Sequence, residues 1–285
     1  MRQTLISFDL KGDFGVFKKP DVNEGLQLTF NILHKPALLG ILGAIAGLEG
    51  YKRQGVFPEY YHKLRGLRVG IEPLEGRHEK GNFVKTVIKY TNTVGYANAD
   101  GNLIVTEQAL RRPAYRIYLL LDLDMEEQSC LYDRIKAAEA EYIPYFGKNE
   151  CVAWWEAETV QEYAFAPFVA TDDFRVNSIF IREASLLSQR VKPRFSISLR
   201  QTVNAASFAY FERLPIDFFV GDPPETADSP DLFGETSHKF RSLKFVQYDL
   251  AEIVFTDWTL RQDSALPNLF QLKSPDGASK IVQLI

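Results

Sequence analysis

The spacing of apolar and polar positions along the chain predicts most of its elements. Leu5 to Leu10 (LISFDL) alternates as a strand does, and Ala114 to Asp122 (AYRIYLLLD) is a second, strongly apolar strand. Phe83 to Val94 (FVKTVIKYTNTV) reads as a longer strand. Side chains alternate with period two, so Phe83, Lys85, Val87, Lys89 and Thr91 share one of its faces. Asp100-Gly101 supplies turn chemistry and Leu103 to Thr106 returns as the partner, which predicts a projecting hairpin with lysines along one side. Between Glu126 and Tyr142 the apolar Leu131, Ile135 and Ala138 recur at i, i+4 and i+7, the stripe of an amphipathic helix. Gly66 to Ile71 and Cys151 to Trp155 are shorter strand candidates, and Lys11 to Asn23 is a loop.

The stretch His34 to Leu48 (HKPALLGILGAIAGL) is apolar all round. Ala37 to Leu48 gives 12 uncharged residues, whereas a bilayer span needs about 20. It is therefore read as a helix opened by Pro36, whose missing N–H costs nothing at a first turn. Gly43 and Gly47 each cost about 1 kcal/mol relative to alanine, so the helix is expected to lie close against a sheet. Burying its leucine and isoleucine face, at about 1.5–3 kcal/mol per side chain, offsets that cost.

The order strand, helix, strand, hairpin strand, helix, strand is the βαββαβ plan, and it predicts an α+β, ferredoxin-like domain over residues 1–160 with a thumb hairpin at about 83–106. Residues 161–285 are expected to be β-rich. Their strand-like runs are Ser178 to Arg182, Phe195 to Arg200, Phe245 to Leu250 and Ile253 to Leu260, with a closing hairpin around Pro275-Asp276-Gly277 and a polar loop from Pro223 to Ser237.

Composition narrows the class. A chain of 285 residues, 46% apolar and 13% aromatic, is comfortable for two soluble globular domains. Cys130 and Cys151 form neither a disulfide framework nor a metal-spaced pattern, so a reducing cytoplasm is expected, with no secretory signal, no membrane partner, no metal and no cofactor. There is no Walker loop, no dinucleotide glycine fingerprint and no Gly-x-Ser-x-Gly elbow. The net charge of −4 argues against indiscriminate coating of nucleic acid, but the average hides blocks. Residues 51–116 carry 12 Lys/Arg against 6 Asp/Glu, residues 117–173 carry 3 against 13, and residues 174–213 carry 7 against 2. Such segregation suits a protein that grips a polyanion with one face and another protein with a second, although solvated faces would give the same pattern.

Three clusters could carry chemistry. Phe17-Lys18-Lys19-Pro20 and His34-Lys35-Pro36 bracket the loop before the first helix, whose amino end offers N–H groups and partial positive charge to a phosphate. Arg111-Arg112-Pro113 enters the strand of Tyr115 and Tyr118, a pairing of guanidinium and phenol that holds phosphate and stacks an unpaired base, unless the tyrosines are core. Tyr145-Phe146-Gly147-Lys148 places a glycine where a ligand, or simply a turn, needs positive φ. Metal-independent RNA cleavage would need a base, an acid and a cation, for which His34, Lys35 and a nearby tyrosine could be drafted; a cap or packing role for His34 is the competing reading.

Taken in order, a first strand, FKKP at Phe17 to Pro20, the Pro-led small-residue helix LLGILGAIAGL, LRRPAYRIY at Leu110 to Tyr118 and IPYFGK at Ile143 to Lys148 resemble the Cas-five family of the RAMP superfamily. The resemblance covers roughly the first 155 residues. It implies a non-catalytic, RNA-binding subunit that caps the 5′ handle of crRNA in a type I CRISPR Cascade complex, joined to the backbone and large subunits and meeting target DNA only indirectly. It assigns Lys18, Lys19, Lys35, Arg111 and Arg112 to handle phosphates and Tyr145 and Lys148 to the bend, and His34 at the helix end with Lys85 and Lys89 of the hairpin complete the expected RNA-binding residues. Members that cut precursor RNA use a tyrosine and an adjacent Lys-His pair; here the pairs His34-Lys35, His62-Lys63 and His238-Lys239 are all reversed. A metal-independent endoribonuclease is the alternative, and a β-rich interaction module without RNA is a third.

Overall fold

The computed structural model describes residues 2–20, 25–52, 56–92, 103–184, 207–221, 245–260, 262 and 266–285. Its strands and helices run in chain order β1 (Gln3–Gly12), β2 (Phe14–Gly15), β3 (Leu26–Gln27), α1 (Lys35–Ala46), α2 (Glu59–Leu64), β4 (Arg68–Pro73), β5 (His78–Glu79), β6 (Asn82–Phe83), β7 (Lys85–Asn92), β8 (Leu103–Arg111), β9 (Ala114–Asp122), α3 (Glu126–Ala137) and β10 (Ala153–Trp154). After these come β11 (Gln161–Pro167), β12 (Phe180–Ala184), β13 (Ala209–Gly221), β14 (Phe245–Thr256), β15 (Leu269–Lys273) and β16 (Ser279–Gln283). The described chain is sheet-rich with few helices, an α+β architecture. No helix among the described residues is long and apolar enough to cross a membrane.

The main sheet has the order β16-β15-β11-β1-β9-β4, antiparallel throughout. Its heart is the β1–β9 ladder, from Gln3 opposite Asp122 to Lys11 opposite Ala114. Ile6, Phe8 and Leu10 of β1 and Ile117, Leu119 and Leu121 of β9 face α1 and α3, where they meet Leu38, Leu42, Ile45, Leu131 and Ile135. The opposite face is also buried: Leu5, Tyr118, Leu120, Tyr163, Phe270, Leu272, Val282 and Leu284 form a second cluster. It stays dry because the sheet rolls on itself. Val69 of β4 and Ile285, just past β16, exchange backbone hydrogen bonds of 3.1 and 2.9 Å and join the two ends of the strand order. The continuous sheet thus runs across position 160, with β11, β15 and β16 continuing the surface begun by β1, β9 and β4.

A second sheet, β12-β14-β13, is built on the long β13–β14 pair. A register shift between Pro215 and Asp217 places a bulge beside the proline, which has no N–H to give to a ladder. Asp217 next to that bulge accepts from Tyr61 Oη and from Arg65 Nη2 (3.1 Å), fastening α2 to β13. The predicted hairpin forms as β7 and β8, paired from Lys85 opposite Leu110 to Asn92 opposite Leu103. Its base is not free-standing, because β8 also pairs with β2 and β3.

Several expectations need correction. The strand expected at Cys151 to Trp155 is reduced to β10, which pairs only with Lys11 and Gly12, while β11 takes the main edge beside β1. The second helix stops at Ala137, because Ala138 turns left-handed (φ 53°) and the chain crosses to α1, where Tyr142 N–H donates to the Ala44 carbonyl at 3.0 Å. The runs Phe245 to Leu250 and Ile253 to Leu260 merge into β14, and β13 and α2 were not anticipated. The strand at 195–200, the turn at 100–101 and the loop at 223–237 lie outside the described residues. The closing hairpin is present as β15–β16, with Gly277 at φ 87°.

The glycines of α1 do not approach the sheet. A Cβ on Gly43 would lie 2.5 Å from Tyr60 Cβ of α2, and Gly47 is the left-handed cap at φ 77°. The small residues of α1 therefore receive a second helix and leave part of their row facing a cleft.

Candidate nucleic-acid interface

Three of the four sequence stretches of interest meet around one ring, and the fourth, α1, joins them where His34 packs against Phe17. Phe146 is fully buried and packs edge-on against Phe17 (5.7 Å between centroids) and Tyr115 (5.9 Å). Its carbonyl accepts from Val16 N–H at 3.0 Å. Gly147 follows at φ 79°, and a Cβ there would stand 1.9 Å from the Val16 carbonyl oxygen, so no residue with a side chain fits. This turn brings Tyr145 and Lys148 beside Lys18 and the amino end of α1.

Together they line a cleft of about 800 Å³. Ala37, Gly40 and Ala44 of α1 form its floor, spaced so that they share one helix face. Phe17, Tyr51, Tyr60, Tyr145, Phe218 and Tyr248 are among its walls. Burial pushes the Tyr60 phenol well above the usual range, with Tyr51, Tyr248 and Tyr145 adding to the shift. The Tyr60 ring therefore stays neutral.

The charges of the cleft differ from expectation. His34 is the N-cap of α1: its Nδ1 accepts the Ala37 N–H at 3.2 Å, and its ring meets Phe17, Phe30 and Tyr248 edge-on. Complete burial pushes its pKa down to about 3, so it is a neutral cap and no phosphate clamp. Lys148 Nζ is held by both carboxylate oxygens of the buried Glu107 (2.7 and 2.5 Å) and by Tyr90 Oη (3.0 Å). Burial lowers its pKa, but the bonds to Glu107 and Tyr90 outweigh this and the net shift is upward. Lys18 is exposed at the rim and, among the described residues, makes no ion pair.

The remaining predicted residues lie elsewhere. Lys35 turns away from the cleft, and its Nζ donates to the Ile285 carbonyl at 3.1 Å. Burial depresses its pKa, with Asp217 opposing and Arg65 reinforcing. Lys19 pairs with Glu212 at 3.2 Å and lies over the Phe30 ring, while Lys85 donates to Asn31 Oδ1 at 2.7 Å. Asn31 N–H reaches Glu212 in turn (3.1 Å), so two expected RNA lysines serve an internal network. Arg111 and Arg112 are exposed at the corner before β9, where Arg112 N–H donates to the Asp13 carbonyl. Lys89 is exposed on β7 opposite Thr106. Tyr115 and Tyr118 are fully buried and belong to the core.

Sequence reasoning missed Tyr51, Tyr60, Tyr248, Phe218 and Glu107. Tyr248 and Phe218 arrive on the second sheet with no local motif, stacked on each other at 5.1 Å. Among the described residues no group of three or more His, Cys, Asp or Glu is placed to hold a metal ion.

No protein-family model matches the chain, and no curated protein matches it. Among solved structures it is similar to a chain of a CRISPR RNA-guided surveillance complex, over 90% of this chain and 91% of that one, with TM-score 0.43 and 12% identity. A CRISPR protein from Archaeoglobus fulgidus aligns over 98% and 99%, with TM-score 0.40 and 11% identity. A Cas protein aligns over 52% of this chain and 57% of its own length, with TM-score 0.32 and 16% identity.

Proposed function

We propose that the chain is a non-catalytic, RNA-binding subunit of a type I CRISPR interference complex, holding the 5′ handle of crRNA as the Cas-five resemblance implies. The observation that carries this reading is the convergence of segments 16–18, 34–48 and 143–148 on one cleft, with segment 110–118 packed behind it through Tyr115 and Phe146. Stretches far apart in sequence share one physical locus there, as a binding site requires. The order β11-β1-β9-β4 with α1 and α3 on one face supports a ferredoxin-like core, and β7–β8 supports a thumb against a backbone subunit. In this reading residues 1–160 supply most of the RNA face, residues 161–285 complete the barrel-like sheet, and the acidic 117–173 block meets a protein, consistent with a large or backbone subunit. The protein would act in the cytoplasm.

A nuclease role is the weaker alternative. A general base needs a free ring nitrogen near a 2′-hydroxyl, and His34 spends Nδ1 on its own helix while its burial keeps it from carrying charge.

The test is co-expression with a CRISPR array and the candidate partner subunits, followed by sequencing of co-purified RNA. The expected result is crRNA with a uniform, nuclease-protected 5′ end, lost or shortened when this chain is omitted. An assembled complex devoid of RNA, or 5′ ends indifferent to this chain, overturns the reading. Incubation of the purified protein with repeat RNA in EDTA should leave it intact.

A further inference from the structure

The cleft is chemically ill-suited to a run of phosphates. Phosphate seats use free N–H groups at a helix end or unpaired cations. Here the Ala37 N–H is taken by His34, Lys148 is neutralised by Glu107, and Lys35 points to Ile285. What the cleft does offer is aromatic surface and phenolic hydroxyls over a floor that stops at Cβ. Gly40 is the flattest point, since a Cβ there would meet nothing nearer than Tyr60 Oη at 3.7 Å. Of the lysines that line the cleft, Lys148 is paired with Glu107, and Lys18, at the rim, makes no ion pair among the described residues.

We propose that this cleft seats a single unpaired nucleobase, stacked among Tyr51, Tyr60, Tyr145 and Tyr248 above the Ala37-Gly40-Ala44 floor, with one flanking phosphate on Lys18. The proposal rests on the RNA reading above and refines it: the site recognises a base face and hydroxyl-bonded edge and takes one flanking phosphate on Lys18, while the remaining phosphates are held elsewhere. At about 800 Å³ the cleft lies within the span of ligand clefts, roughly 300–1,000 Å³, and has room for a base, and stacking on aromatic rings needs no particular base identity.

The probe is the RNA recovered with the complex, synthesised with one abasic nucleotide at each position in turn and bound by the full chain. Abasic substitution at one position should weaken binding about tenfold, as expected for losing one base stack. Gly40→Leu, which fills the floor against the outer end of the Tyr60 ring, should weaken intact RNA to the same degree and abolish the penalty at that position. Tyr145→Ala, at an exposed wall, provides a second variant, and a melting curve verifies that both fold. Lys18→Ala should lower the slope of log affinity against log salt by about 0.7, the value for one phosphate on a single strand, and preserve the abasic profile. A flat abasic scan with RNA still bound, or Gly40→Leu and Tyr145→Ala binding RNA as the parent does, overturns the base seat and leaves the RNA reading standing. If Gly40→Leu instead blocks a partner protein with RNA affinity unchanged, the cleft is a protein socket and the proposal falls. Absence of any RNA binding removes both.

Discussion

His34 shows how a single side chain can look functional in sequence and prove structural in place. Its ring caps α1 only when neutral, and burial holds its pKa near 3 against an ordinary value of 6.5. The unfolded chain therefore binds a proton that the folded chain refuses between those limits. Stability should fall as pH drops from 6.5 toward 3, with this residue contributing about 1.4 kcal/mol per pH unit. His34→Asn keeps an N-cap acceptor but does not titrate, so urea denaturation across that window should show a shallower pH slope for the variant; an identical slope would refute the assignment. Lys148 gives a second residue-level expectation. Lys148→Ala strands the buried carboxylate of Glu107 and should cost about 3 kcal/mol, while the Lys148→Ala, Glu107→Gln double variant recovers much of that loss. A denaturation cycle measures the coupling. Lys18, His34, Tyr145 and Lys148 were legible as a group because each sits in a short motif beside a helix end or glycine turn. Lys19, Lys35 and Lys85 were not separable from them, since the atoms that consume them, on Glu212, Ile285 and Asn31, belong to segments that sequence spacing does not bring near.

At the scale of elements, α1 divides its glycines between two jobs. Gly43 must stay bare because Tyr60 occupies the space of a Cβ, whereas Gly40 has room for one. Gly40→Ala should stabilise the fold by up to about 1 kcal/mol through helix propensity. Gly43→Ala should destabilise it by about 1–3 kcal/mol, because the backbone-proximal Tyr60 Cβ cannot swing away. Opposite shifts in thermal midpoint check the pair, and a stabilised Gly43→Ala would sink the helix-packing account. Elements with one dominant local signal were readable from the sequence: alternation in β1 and the β7–β8 hairpin, an unbroken apolar run in β9 and in the Pro-led α1, and turn residues in β15–β16. Others were hidden by local breaks that tertiary contacts override. In β13 the Pro215 bulge interrupts the alternation, and α2 is too short for a stripe. The end of α3 was misplaced because Ala138 carries a left-handed cap where glycine is the usual signal.

On the scale of the molecule, the closure between β4 and the end of β16 decides whether the second face of the sheet is dry. Leu284 is fully buried in the cluster with Leu5 and Tyr118 and lies against Gly70, where a Cβ would be 3.1 Å from Leu284 Cδ2. The next residue makes both the paired bonds to Val69 and the bond from Lys35 Nζ, so the closure also fixes the amino end of α1 that borders the cleft. Leu284→Ala removes the packing that positions this segment and should cost about 2–5 kcal/mol, as for other leucines deleted from a core. Local opening at the seam then precedes global unfolding. Hydrogen exchange at the Val69 amide should accelerate more than at Phe8, deep in the β1–β9 ladder, and Lys35 should become more reactive toward amine-acylating reagents once its carbonyl partner is loosened. Uniform acceleration across Val69 and Phe8, with Lys35 reactivity unchanged, would mean that the seam does not open on its own and that the sheet and the floor of the cleft stand or fall as one unit.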